Sequence, residues 1–482
     1  MSAPEAARPV GTRRVALDIA VQLVGMAGNL ALGVVVTVLL ARQLGDRSFG
    51  QWSTIIAITG FVGFFTDLGL RQVVVRQIAA EPERETDWLG AQLSLVGVLA
   101  LPATVLCAVL LAVIARGHAM LVAGLVLSLL VLQSPVGNLS VVFQLRTRND
   151  VTTAIATIKS VLWLIVVVAL TLADSGLVAF AVWFQVTSLI ATAITAAIAL
   201  RWVPLRSLGS RRDWGPLLRM ALPVAIAAFL SLAYARIDQV LVFLLAGSRD
   251  AGLYGVAYRI LDQIQFIPVA LVTTLLPMLA AALDHDRERL RRILEQAATF
   301  LSIASLGALA VTIAAAGPIV RLLFGAEFAA AAPALPVLMG AFVAICFGYL
   351  VGNMIIVLRL QRRNVGIALA ALVLNVALNL ALIPPYGFKA AAWVTLATEV
   401  VWLLLAGRLV LRELAIDLDL RRLPRVILAA AVTGGAVALA RVAGGGVGIL
   451  LAVAAVVYAA LILGLRAITP GEVARLVRGQ PG

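Results

Sequence analysis

The chain has 482 residues, 62% of them hydrophobic and 13% charged, with a mean hydropathy of +1.05 and a formal net charge of +14. A soluble chain cannot hide that much apolar surface, so soluble enzymes and soluble binding modules are excluded at the outset. The positive residues sit in short segments between apolar runs, which is a membrane-topology pattern and not a nucleic-acid footprint.

About fourteen runs are long enough to cross a hydrocarbon core of about 30 Å. They fall at roughly 15–40, 52–75, 89–115, 119–143, 151–173, 176–199, 217–246, 255–283, 297–323, 333–358, 365–385, 389–411, 425–442 and 447–466. Runs of this length do not alternate as barrel strands do, so the expectation is an all-α integral membrane protein. Arg13-Arg14 before the first run resembles a twin-arginine signal. The run Val15–Leu40 is too long for a signal segment and no small-residue cleavage site ends it, so it reads as an uncleaved span. With the N-terminus in the cytoplasm, 28 of the 38 Lys and Arg fall in inside segments and seven outside, leaving Lys159, Arg236 and Arg259 within spans. That bias predicts a multi-pass protein with both termini cytoplasmic. Arg201–Arg219, with Trp202 and Trp214, reads as a basic interfacial linker over 201–216, or simply as positive-inside sequence.

The polar stretch RQLGDRSFGQ near residue 45 separates two apolar runs, and Leu244–Tyr258, LLAGSRDAGLYGVAY, echoes it. Laying Phe49-Gly50 on Tyr254-Gly255 gives an internal duplication with an offset of about 205 residues. An offset of six spans preserves orientation. The halves are then parallel six-helix bundles around a central cavity, over 1–200 and 217–411, with two extra helices and a cytoplasmic tail over 412–482.

Ionisable groups inside spans are costly and are functional candidates by default. Arg236, Arg259 and Lys159 are candidate contacts for an anionic headgroup, with Asn29 beside them as a polar contact. Asp67, Asp238 and Glu399 are candidate proton or cation sites. The structural alternative pairs Arg236 with Asp238 or a neighbour and Arg259 with Asp262 one turn away, as packing devices only. Asn375 and Asn379 lie on one helix face, as interhelical hydrogen-bonding groups do. Cys107 and Cys346 read as buried small hydrophobes, and no disulfide, metal site, nucleotide motif or hydrolase motif stands out, so no cofactor is expected.

The stretches ARQLGDRSFGQW, FFTDLGL and Arg236–Ile260, RIDQVLVFLLAGSRDAGLYGVAYRI, resemble the bacterial polysaccharide-biosynthesis flippases. These are the O-antigen/Wzx-like members of the superfamily that also holds MATE-type exporters and lipid II flippases. The resemblance implies a MATE-like V of two bundles and alternating access. It implies an undecaprenyl-pyrophosphate-linked oligosaccharide as substrate, moved from the inner to the outer leaflet of the bacterial cytoplasmic membrane. Implied partners are the bilayer, that lipid-linked glycan and polysaccharide-assembly membrane proteins, with no nucleic acid. Competing readings are a cation-coupled multidrug antiporter, for which the intramembrane cations are unfavourable, a membrane polymerase or ligase, for which the outside loops are too short, and a non-transporting scaffold.

Overall fold

The computed structural model describes residues 12–146, 148–202 and 213–468. Most of the expected linker, and the chain after 468, therefore lie outside the described residues. Among the described residues every regular element is a helix. In order these are α1 (Thr12–Asp67), α2 (Leu70–Ala80), α3 (Glu85–Ile114), α4 (His118–Leu132), α5 (Ser134–Asn138), α6 (Val141–Leu145), α7 (Asn149–Leu172), α8 (Leu177–Ala199) and α9 (Trp214–Ala246). There follow α10 (Ser248–Ile264), α11 (Phe266–His285), α12 (Arg287–Phe324), α13 (Ala334–Val357), α14 (Gln361–Tyr386), α15 (Phe388–Leu414), α16 (Leu423–Val442) and α17 (Val447–Gly464).

Twelve helical stretches of the described residues are long and apolar enough to span a bilayer, and a thirteenth forms if α4 and the helices after it, bent by 41°, count as one. The first stretch, Gly28–Ala80, has 53 residues, about twice what a bilayer needs. Gly45 divides it, with φ 70 and ψ 176 inside α1. Split there, and with the bent group counted as one span, the described residues hold fourteen such stretches, the number expected. Large aliphatic side chains such as Leu172, Leu439 and Val442 stand exposed, as lipid-facing positions do. Many Ser and Thr hydroxyls donate within their own helices, for example Thr54 to the Gly50 carbonyl at 2.8 Å and Ser302 to Ala298 at 2.6 Å.

The chain divides into two compact units, Met1–Leu44 with Ile55–Phe229, and Gly45–Thr54 with Leu230–Gly482. In the first, α2, α3, α6 and the start of α9 share a core of Leu70, Val74, Trp88, Val96, Val142 and Leu217. Two of its spans are interrupted. α1 ends at Asp67, where Leu68 and Gly69 take left-handed conformations, φ 46 and 68. α4 ends at Leu132, shortly before Pro135, whose ring nitrogen has no N–H to donate to the helical ladder.

In the second unit α10 and α11 are interrupted at Gln265, three residues before Pro268. The C-terminal helices lie on α12. Gly307 leaves room for the Tyr458 ring, Tyr458 donates to the Ile303 carbonyl at 2.7 Å, and Arg441 donates to Ala314 at 2.9 Å. The two polar hinges of the sequence pack on each other here, and they correct the register of the duplication. Gly45 and Gly247, φ 70 and 97 with ψ near 180, make the same turn. Aligning them gives Gly-x-Arg-x-x-Gly in both copies, Gly45–Gly50 and Gly247–Gly252. The offset is then 202, three short of the sequence-based register; glycine geometry fixes it better than aromatic matching does. A Cβ on Gly50 would strike the Ser248 carbonyl, and one on Gly252 the Asp46 carbonyl. Arg249 pairs with Asp46 at 2.8 Å, and the Asp46 N–H donates to Glu327 at 3.1 Å, which caps the helix entering after Gly45.

Candidate functional site

A cavity of about 420 Å³ lies within the second unit, between α9, α10, α13, α14 and α15. Each helix sends inward residues three or four apart, which share one helix face. α10 contributes Tyr258 and Asp262, followed by Gln265; α13 contributes Tyr349 and Asn353; α15 contributes Glu399 and Trp402. Tyr234 and Arg236 come from α9 and Asn364 from the first turn of α14. Gly348 on α13 lies 3.2 Å, as a would-be Cβ, from the Trp402 indole, so the absent side chain lets that ring lie against the wall.

Hydrogen bonds fix this lining. Arg236 Nη1 meets Asp262 Oδ2 at 2.9 Å, and its guanidinium lies over the Tyr258 ring, 5.6 Å from the centroid. Asp262, one turn from Arg259 in sequence, takes this ion pair from Arg236 on the neighbouring α9. Tyr258 donates to the Ala235 carbonyl at 3.0 Å, Tyr349 to Gln265 Oε1 at 3.1 Å, and Asn353 to the Tyr349 carbonyl at 2.8 Å. Asn364 Oδ1 is buried and has no hydrogen-bond partner among the described residues. The wall therefore offers aromatic faces, amides, one carboxylate facing Tyr234 (Glu399) and one carboxylate neutralised by arginine.

Behind this cavity Asp238 is 3% exposed and fully engaged. It accepts from the Gln239 N–H at 2.8 Å, from Tyr254 Oη, and from Thr395 Oγ1 at 3.4 Å. A second polar chain runs beside it on α14 and α15. Asn379 donates to Asn375 at 2.9 Å and Asn375 to Thr398 at 3.2 Å, while Asn379 Oδ1 is buried without a partner among the described residues. Three donors thus converge on the buried Asp238 carboxylate and satisfy it within the protein.

The first unit holds the remaining candidates. Lys159 lines a cavity of about 290 Å³ with Thr59, Ser134 and Phe184. Its ammonium donates to Ser188 Oγ at 3.1 Å and stands 5.1 Å from the Phe184 ring centroid. Among the described residues it has no carboxylate partner, which is unusual for a charge inside a span. Asn29 donates to Thr157 Oγ1 at 3.0 Å, two residues from Lys159 on α7, and to the Gly25 carbonyl. Asp67 closes α1 at the left-handed break rather than continuing a straight span, and its Oδ1 is buried without a partner among the described residues.

The structure thus gathers Arg236 and Glu399 on one wall, sets Asp238 behind them, and leaves Arg259 off the lining. Asn29, Lys159 and Asp67 belong to the other unit. Reading charges alone missed Tyr234, Tyr258, Tyr349, Trp402, Asn353 and Asn364. The available signal was the recurrence of aromatic and amide residues at helical spacing inside apolar runs, as in Tyr349/Asn353 and Tyr258/Asp262.

A family model described as polysaccharide biosynthesis protein matches residues 16–283. The probable flippase AglR of Haloferax volcanii is 26% identical over 181 residues, which are 37% of this chain and 38% of that protein. The match therefore spans well under half of that curated relative. The lipid II flippase MurJ, in an inward closed conformation, superposes with a TM-score of 0.72 at 11% identity, over 95% of this chain and 99% of that one. An inward-facing multidrug resistance MATE family transporter of the MOP superfamily superposes at 0.64 with 15% identity, over 83% of this chain and 99% of that one. At such identities the likeness is one of fold.

Proposed function

The chain belongs to the polysaccharide biosynthesis protein family, and from that premise we propose that it is a flippase for a lipid-linked glycan. The substrate is an undecaprenyl-pyrophosphate-linked oligosaccharide, carried from the inner to the outer leaflet of the bacterial cytoplasmic membrane by alternating access, with both termini cytoplasmic. No covalent chemistry is involved. Membrane proteins that assemble the polysaccharide are its expected partners.

The observation that carries this reading is the lining of the 420 Å³ cavity. Tyrosine and tryptophan faces cover the C–H face of a sugar ring, and amides and a carboxylate hydrogen-bond its hydroxyls. An apolar cargo would leave the buried Asn364 Oδ1 without a partner, at a cost of about 1–3 kcal/mol. Lys159 is the proposed phosphate contact, with Asn29 positioning α7. Arg236, committed to Asp262, acts at the cavity wall, and Arg259 remains a proposed contact outside this lining. Asp238, Glu399 and Asp67 are the proposed coupling groups, Asp238 for a monovalent cation and Glu399 for a proton.

The runner-up is a cation-coupled multidrug antiporter, favoured by Glu399 on the cavity wall. The two separate in vesicles containing the purified chain. A flippase exposes labelled polyprenyl-pyrophosphate oligosaccharide in the opposite leaflet and leaves an organic-cation gradient untouched. Cation efflux driven by a proton or sodium gradient, without exposure of the glycan lipid, would replace this reading by the other.

A further inference from the structure

A separate cavity of about 550 Å³ opens in the second unit where three spans turn back. It lies at the end of α11 and start of α12, the end of α13, and the end of α15. Leu283, Leu290, Leu358 and Ile416 supply apolar walls, and Arg287 and Arg359 supply the charge. Its one lining carboxylate, Glu413, is engaged by Arg363 at 3.3 Å. Arg287 reaches only the Leu414 carbonyl, at 3.5 Å, and among the described residues neither Arg287 nor Arg359 pairs with a carboxylate.

Arg359 also stands where glycine is the favoured residue. Its φ is 57, and the Leu360 N–H returns to the Ile355 carbonyl at 2.9 Å to close the end of α13. A left-handed arginine keeps a guanidinium at the cavity where a glycine would end the helix with less strain.

We propose that this cavity holds the phosphate of an acidic phospholipid, at the arginine-rich end of the spans. Two guanidinium forks match phosphate oxygens, and a basic pocket among the ends of spanning helices sits at headgroup depth. A free phosphate would leave the four aliphatic side chains wet, whereas a phospholipid covers them with its glycerol and first methylenes. The inference is independent of the glycan reading, since it uses none of that cavity's residues.

The test is lipid retention by the purified full chain in native mass spectrometry, after exposure to phosphatidylglycerol or phosphatidylcholine. Preferential retention of phosphatidylglycerol is expected. It falls about 30-fold in the double variant Arg287→Ala/Arg359→Ala, falls less in Arg287→Lys/Arg359→Lys, which keeps the charge but loses the fork, and is unchanged in Arg421→Ala/Arg425→Ala, whose arginines are exposed outside the cavity. Equal retention of phosphatidylcholine, equal loss in the Arg421/Arg425 variant, or displacement of the lipid by inorganic phosphate would each overturn the proposal.

Discussion

Lys159 separates function from packing at the residue scale. An ammonium inside a span, without a carboxylate among the described residues, is a cost to the fold and not a support for it. Lys159→Met should therefore melt at the same or a higher temperature while glycan-lipid translocation falls at least tenfold, as read by a leaflet-exposure assay beside a thermal unfolding curve. A destabilised variant that transports normally would make Lys159 a packing residue. The Arg236–Asp262 pair behaves oppositely. Its arginine side chain is 41% exposed, so a double-mutant cycle through Arg236→Ala and Asp262→Asn should give a coupling of about 1 kcal/mol and not the 3–5 kcal/mol of a fully buried pair. Which carboxylate an intramembrane arginine meets was not legible in the chain. Asp262 lies three residues from Arg259 in sequence, yet the partner it takes comes from the neighbouring helix, because helix packing and not sequence spacing decides the contact.

Elements repeat this lesson in a different form. The spans were legible because twenty apolar residues in a row leave few alternatives. Their interruptions at Gln133, Leu68–Gly69 and Gln265 were not. Proline is widely tolerated in membrane helices, and a left-handed Leu68 has no sequence mark at all. The two hinges were recognisable as copies, but their register had to come from Gly45 and Gly247. Their packing predicts strong sensitivity to a single methyl. Gly50→Ala and Gly252→Ala should each destabilise the protein by about 1–3 kcal/mol, because the new Cβ meets a backbone carbonyl that cannot move aside. Gly60→Ala, whose Cβ would meet only open space, is the control and should be neutral in thermal unfolding.

At the scale of the whole molecule the arginine bias and the helix count make one picture, a multi-pass protein whose alternate loops face opposite sides. A membrane-impermeant thiol reagent added to intact cells should label His118→Cys, at the start of α4, and should reach Asp419→Cys, between α15 and α16, only after lysis. Both are exposed, and the native Cys107 and Cys346 are buried. The reverse pattern would invert the orientation. The candidate site was half legible on this scale. Charged members stood out against apolar sequence, while the aromatic residues that shape the cavity looked like ordinary membrane composition until five helices brought them together. Trp402 is the most telling of these, because its ring forms part of the wall without entering the ion pair or the Asp238 network. The direct measurement is the concentration dependence of translocation of a polyprenyl-pyrophosphate oligosaccharide in vesicles, for the native chain, Trp402→Phe and Trp402→Ala. Glycan recognition by this cavity predicts saturable translocation, a half-saturating concentration raised about tenfold in Trp402→Ala, and partial recovery in Trp402→Phe. Translocation with the same half-saturation in all three proteins, or none from the native chain, would contradict it.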